Sequence, residues 1–207
     1  MTRWTAFTLA CGLAFGMTFG AAAQGVSMEP ASAPSGTYQM ETAHSQLLFA
    51  IKHFGLTDFY GRFDRLSGTL NYDAAKPEAS SVTVKIETAS VDTPSDRLNS
   101  ELSGADVFNA AKFPDATFKS TAIALTGPTT GTITGDLTLN GVTKPVTLDA
   151  TFTGAAQMPM GGGNALGFSA TATIKRSDFG LTGMTWSAFV GDEVKLIVVA
   201  MFENGKH

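Results

Sequence analysis

Apolar and polar side chains alternate with a two-residue period along most of this chain, the pattern of strands wet on one side and apolar on the other. The clearest unit runs from Gly131 to Phe152. Ile133, Leu137 and Leu139 share one face of its first arm, and Thr132, Thr134, Asp136 and Thr138 share the other. In the second arm Val146, Leu148, Ala150 and Phe152 alternate with Thr147, Asp149, Thr151 and Thr153. Between the arms, Asn140-Gly141 suits the positive φ values of a type I′ turn, so the stretch predicts a β-hairpin.

The rest of the chain reads the same way, with one interruption. Thr37 to Thr42 is a short extended lead-in. His44 to His53 then places Ser45, Leu47, Phe49, Ile51 and His53 on one face and His44, Gln46, Ala50 and Lys52 on the other. Over residues 58–73 the inward parity changes, from Phe59, Gly61 and Phe63 to Leu66, Gly68, Leu70 and Tyr72, which predicts a bulge or bend near Asp64-Arg65. Ser81 to Thr88 turns Val82, Val84 and Ile86 inward. Between Pro94 and Pro114 the period lengthens: Leu98, Leu102 and Ala105 stand at helical spacing behind Ser95 as N-cap, and a second short turn follows Gly104. Such a connection would plug or cover one end of a sheet structure.

Strands resume at Ala116 to Leu125, with Phe118, Ser120, Ala122 and Ala124 on one face. Residues 155–167 hold three consecutive glycines and read as a flexible loop. Phe168, Ala170, Ala172 and Ile174 face inward on the next strand. Residues 177–192 form a turn-rich excursion with Phe179, Met184, Trp186 and Phe189. The last strand, Glu193 to Glu203, is apolar on both faces: Val194, Leu196, Val198 and Phe202 on one, Ile197, Val199 and Met201 on the other. That predicts cover on both sides, by the helix or by a partner subunit.

About eight antiparallel strands, each with one apolar face, predict an all-β fold with a sheet closed on itself. Gly61, Ser120, Ala122, Ala124, Gly135, Ala150, Ala170 and Ala172 are small residues on inward faces, and an eight-stranded barrel lined by small residues can hold one small ligand. A packed sandwich, with large Phe and Leu residues compensating, fits the composition equally well.

Composition changes the picture at the N-terminus. Residues 1–23 have the layout of a secretory signal, with Arg3, a mostly apolar stretch and Ala21-Ala22-Ala23, so export and cleavage near Ala23 are expected. The single cysteine, Cys11, leaves with it, so disulfides and thiol chemistry are excluded from the remainder. Removing Arg3 takes the formal charge from −4 to −5, 13 basic residues against 18 acidic, and no basic cluster points to nucleic acid. Residues 24–36 read as a flexible linker, and 37–207 as one domain.

Candidate chemistry is sparse. No GxSxG, HExxH, CxxC, P-loop or GxGxxG pattern occurs, and neighbours His44 and Ser45 point apart on a strand, so no enzyme is expected. His44 and His53 diverge, and His207 is terminal, which argues against a metal site. His53 could meet a ligand head group. Arg97, Arg176 and Asp178 are candidate head-group contacts at a barrel mouth, or local pairs that fix turns. Met158-Pro159-Met160 is weak evidence for copper and equally suits an apolar lid.

Several segments, in order, resemble the YceI family. They are His44-Ser45 with Phe49, Ile51 and His53; Gly61 with Phe63; residues 89–93 (ASVDT); Phe108 with Lys112-Phe113-Pro114; Phe118 to Thr121; residues 135–146 (GDLTLNGVTKPV); residues 176–181 (RSDFGL); and residues 190–194 (VGDEV). The resemblance implies an extended, eight-stranded, lipocalin-like antiparallel barrel whose tunnel holds a long isoprenoid chain, of polyprenyl phosphate or quinone type, with no other cofactor. It implies a periplasmic protein, often a homodimer, with transient contact to a membrane or a membrane protein. The expected lining is Leu47, Phe49, Ile51, His53 and Phe63; Val82, Val84, Ile86 and Phe118; Ile133, Leu137, Leu139, Val146, Leu148 and Phe152; and Phe168, Ala170, Ala172, Ile174 and Trp186. Asn99-Ser100-Glu101-Leu102 stands where the family commonly carries Asp-x-His-Leu, and Val107 where an aromatic is usual, so the polar end of the site is expected to differ from the family's. An accessory of electron transfer holding haem or a quinone is the alternative.

Overall fold

The computed structural model describes residues 25–205 except 160–161 and 184–185; the expected signal segment, Met160, Met184 and His207 lie outside the described residues. The strands are β1 (Gly36–His53), β2 (Thr57–Phe63), β3 (Leu66–Tyr72), β4 (Ser81–Glu87), β5 (Val91–Asp92), β6 (Asp115–Leu125), β7 (Thr130–Leu139), β8 (Val142–Gln157), β9 (Asn164–Lys175) and β10 (Val190–Glu203), with helix α1 (Asp96–Ser103) between β5 and β6. Each is antiparallel to its neighbours, and β10 pairs with β1, so the sheet closes.

These segments make eight staves. β1 pairs with β2 along its second half and with β3 at its start, so β2 and β3 are one stave broken at Asp64-Arg65, where the parity change predicts a bend. β4 and β5 pair with β3 and β2 and form a second broken stave, interrupted by the 3₁₀ turn Thr88–Ser90. Sheet closure through the β1–β10 pairing, not a sandwich, is the architecture.

The hairpin β7–β8 has the predicted turn: Leu139 pairs with Val142, and Asn140 and Gly141 have φ of 51° and 76°. The Phe113 ring crowds Gly141 so closely that a Cβ there would lie 2.6 Å from it. Asn140 Nδ2 also donates to the Phe179 carbonyl at 3.2 Å, so the turn is docked at the end of the barrel. At the same end, Ser95 Oγ caps α1 by accepting from the Leu98 N–H at 3.3 Å. Leu102 is buried beneath it.

Bulges correct three expectations. Between Ser120 and Ala122 the β6–β7 register shifts, so that Ser120 opposes Gly135 and Ala122 opposes Thr134. Beyond the shift Ile123 and Leu125 take the cavity side, and Ala122 and Ala124, expected inward, are exposed. A second shift, between Phe152 and Gly154, carries the β8–β9 ladder on to Gln157 and Asn164. Residues 155–157 and 164–167 are therefore strand rather than loop, with Ala155, Ala165 and Leu166 buried. Gly162 and Gly163 fall between the two strands. In β1 an irregularity between Glu41 and Gln46 lets the expected lead-in and the His44–His53 strand run as one. Ser45 fills that gap, its Oγ accepting from the Met201 N–H at 3.0 Å.

Residues 25–35, without periodicity in the sequence, lie against the barrel. Ser27 bridges to Ala155, and Ala33 is buried. Tyr72 and Tyr38 donate their hydroxyls to the carbonyls of Pro30 and Pro34, each at 2.7 Å. Burial pushes both phenols up from the ordinary tyrosine pKa. Among the described residues no helix covers the outer apolar face of β10, since α1 sits at the barrel end; Val199 is exposed there.

Candidate functional site

The barrel is hollow. Its interior divides into two chambers, of about 400 Å³ at the α1 end and about 230 Å³ at the opposite end. Leu47, Ile86, Leu137 and Leu196 line both, so the chambers meet at a waist formed by β1, β4, β7 and β10. The result is one apolar tunnel along the barrel axis.

The larger chamber takes Phe49, Ile51 and His53 from β1, Phe63 from β2, Leu139 from β7, Ile174 from β9 and Trp186 from the turn before β10. α1 and the segment after it add Leu98, Leu102, Val107 and Phe108, which sequence reasoning left off the lining although it placed the helix at a barrel end. The smaller chamber takes Val82, Val84, Phe118, Ile133, Val146, Leu148, Phe152, Phe168 and Ala170. Ala172 is buried in the wall but lines neither chamber. Also missed were Val194, Val198 and Phe202 of β10, whose inward parity was legible, and Ile123, whose parity the bulge conceals.

Two glycines expected to leave room do not. A Cβ on Gly61 would lie 2.3 Å from the Phe49 ring, and one on Gly135 would lie 2.5 Å from both the Phe118 ring and the Lys119 carbonyl. Each glycine houses an aromatic from the neighbouring strand, the arrangement by which a large ring covers a bare backbone. Space in the far chamber comes instead from Ala150 and Ala170, paired across β8 and β9.

Polar groups gather at the mouth of the larger chamber, where, among the described residues, Glu101 and Arg176 are the charged side chains on its wall and His53 stands with them. Arg176 does not offer its donors to the interior. Its Nε donates to the Gly191 carbonyl at 2.9 Å, Nη1 to Leu181 at 2.7 Å, and Nη2 to Ser187 at 2.9 Å and Val190 at 3.5 Å. It ties both ends of the 177–190 turn region together and brings its charge to the mouth, close enough to Asp192 to help lower that carboxyl's pKa. Asp178 is exposed, and Asp192 takes the neighbouring role, accepting from the Ser177 hydroxyl at 2.7 Å and N–H at 3.0 Å. Those two bonds hold its carboxyl below the usual range. Arg97 points to solvent, paired with Glu101 at 2.9 Å. Of the three proposed head-group contacts, two therefore stand outside the tunnel and the third serves the backbone.

Asn99, in the stretch that departs from the family pattern, fastens α1 to the barrel. Its Oδ1 accepts from the N–H and hydroxyl of Thr93, both at 2.7 Å, and its Nδ2 donates to Asp92 at 3.1 Å. His53 and Met158 stand at opposite ends of the barrel, so they cannot ligate one metal. Among the described residues no group of three His, Cys, Asp or Glu side chains could hold a metal ion.

A closed eight-stranded antiparallel barrel with a continuous apolar interior defines a lipocalin-like ligand-holding class. The chain belongs to the YceI family: residues 38–202 match the YceI-like domain. A UPF0312 protein of Pseudomonas savastanoi pv. phaseolicola is 44% identical over 143 residues, covering 69% of this chain and 74% of the relative. The crystal structure of Burkholderia cenocepacia BcnA superposes with a TM-score of 0.69 at 29% identity, covering 78% of this chain and 98% of that one. A polyisoprenoid binding domain from Saccharophagus degradans, implicated in plant cell wall breakdown, shares the fold with a TM-score of 0.60 at 19% identity, covering 82% and 99%.

Proposed function

We propose that this protein is a carrier or reservoir for a long-chain isoprenoid lipid, of polyprenyl phosphate or quinone type, working in the periplasm after removal of its leader. The observation that carries the reading is the tunnel itself: two mainly apolar chambers meeting at a waist, with the charged side chains Glu101 and Arg176, and His53, on the wall of the larger and the neutral Gln46, Ser80, Thr129 and Thr130 as polar side chains on that of the smaller. Burial of a hydrocarbon chain contributes about 0.8 kcal/mol per methylene, so a tail threading both chambers would be held strongly without any turnover chemistry. The tail enters the far chamber and the head group stays at the α1 end, beside His53, Glu101 and Arg176. Membership of the YceI family supports the lipid class, as does the fold shared with a polyisoprenoid binding domain.

The test is extraction of the purified protein with organic solvent followed by mass spectrometry, with reconstitution of the emptied protein by polyprenol and by quinone. An isoprenoid at near-stoichiometric yield is expected. A barrel that comes out empty and takes up neither compound overturns the reading, and a visible haem band would move it to electron transfer.

A further inference from the structure

The β1–β2 turn carries a hydrophobic tip that the tunnel does not use. Leu56 is 82% exposed and Phe54 58%, and neither lines a chamber. Phe54 holds a φ of 52°, a region a bulky side chain rarely enters. Its ring stacks on Phe189 at 5.0 Å between centroids, and its N–H donates to the Phe189 carbonyl at 2.7 Å. Phe189, itself half-exposed, is on the rim of the larger chamber. One apolar patch thus runs from the turn to the mouth.

Below the tip the outer wall changes character. Tyr60 and Lys52 lie on that wall, Lys52 pairing with Asp58 at 2.9 Å and Tyr60 standing opposite Ala50. At about 3.3 Å per residue, Lys52 stands about 7 Å along the strand from Phe54 and Tyr60 about 13 Å from Leu56. An apolar cap followed at those distances by lysine and tyrosine is the composition of groups that settle in a bilayer interface, where the apolar part sinks about 5–10 Å. Leu125, at the far end, stands instead among Thr126, Pro128, Thr129 and Thr130. With Lys52 and Asp58 neutralising one another, the patch carries no charge to demand an acidic protein partner.

We propose that the Phe54–Leu56 tip, with Phe189, seats in a lipid bilayer surface and sets the larger mouth against it, so that cargo passes between membrane and tunnel without crossing water. The passage of cargo rests on the lipid-carrier reading; the docking does not. The experiment measures co-sedimentation of the purified protein with phosphatidylethanolamine and phosphatidylglycerol vesicles that contain no isoprenoid. Wild type is expected to partition onto them, with Leu56→Glu weakening it by at least about ten-fold and Phe54→Asn, which suits the backbone, by somewhat less. Val26→Glu, at the opposite end, should leave partition unchanged, and all three variants should keep the wild-type circular dichroism spectrum. Absence of wild-type partition, or equal partition of Leu56→Glu, overturns the docking; binding to native membranes that protease treatment abolishes overturns it in favour of a protein partner. If vesicles bind while extraction yields no lipid, only the carrier reading falls, and the reverse result removes only the docking.

Discussion

If the proposed lipid tail threads both chambers, substituting Ala170 by Phe should restrict the site to shorter chains. Ala170 pairs with Ala150 on β8 and Val198 on β10, and all three face the far chamber of about 230 Å³. A phenyl ring placed there occupies the space a tail needs beyond the waist, while the chamber of about 400 Å³ at the α1 end is untouched. At about 0.8 kcal/mol per methylene, excluding a single five-carbon unit forfeits about 4 kcal/mol, close to three decades in Kd. The assay is a displacement titration with isoprenoid alcohols of increasing length, with thermal unfolding as a check that the barrel is intact. Wild-type affinity should rise with length past the point where Ala170→Phe levels off, and the two proteins should bind the shortest alcohols equally. Parallel length dependence in a folded variant would refute the threading of both chambers. Ala150→Leu, a smaller step at the paired position, should shift the plateau by less.

Three other outcomes follow from particular contacts. Gly61→Ala should lower unfolding free energy by about 1–3 kcal/mol in urea titrations, because every close neighbour of the new Cβ is a Phe49 ring atom; Phe49→Leu in the same chain should recover much of the loss, a coupling a double-mutant cycle reads directly. Arg176→Lys replaces a fork bonded to four carbonyls by a single ammonium, and should cost about 1–3 kcal/mol and hasten proteolytic cleavage within residues 177–190. Asp192 is held below the ordinary aspartate pKa by Ser177, so its contribution to stability is full above about pH 4 and fades as acid drops through the lowered value; Asp192→Asn should flatten that part of a pH–stability profile and leave the neutral-to-alkaline part parallel to wild type.

Much of the wall was legible because side-chain parity is a local property. The β7–β8 hairpin, its turn, the break at Asp64-Arg65 and the cap at Ser95 each depend on a few adjacent residues, and each stands where the pattern put it. Legibility failed where one extra residue flips the parity, as between Ser120 and Ala122, since a bulge is defined by its partner strand and leaves little trace in its own sequence. It failed again at Gly61 and Gly135: absence of a side chain shows a gap, but only the neighbouring strand shows that a phenyl ring fills it. Of the mouth, the charged residues could be named, yet not their bonds. The Arg176 carbonyl cage draws on residues 181 to 191, and nothing local forecasts it.

The pairing of β1 with β10 also bears on how the molecule is made. Ile51 and Val194 are neighbours in the closed sheet although nearly the whole domain separates them in sequence. Joining ends that far apart carries a loop-closure term of about 4 kcal/mol, which long-range contacts recover only after they form. Until the last fourteen-residue strand emerges, β1 and β9 each present an open, hydrogen-bonding edge, and the interior is a trough rather than a tunnel. Arrival of β10 and creation of the enclosed cavity are therefore a single event, so a molecule truncated before β10 would have all of the lining but that strand's share and no enclosed space to hold a ligand.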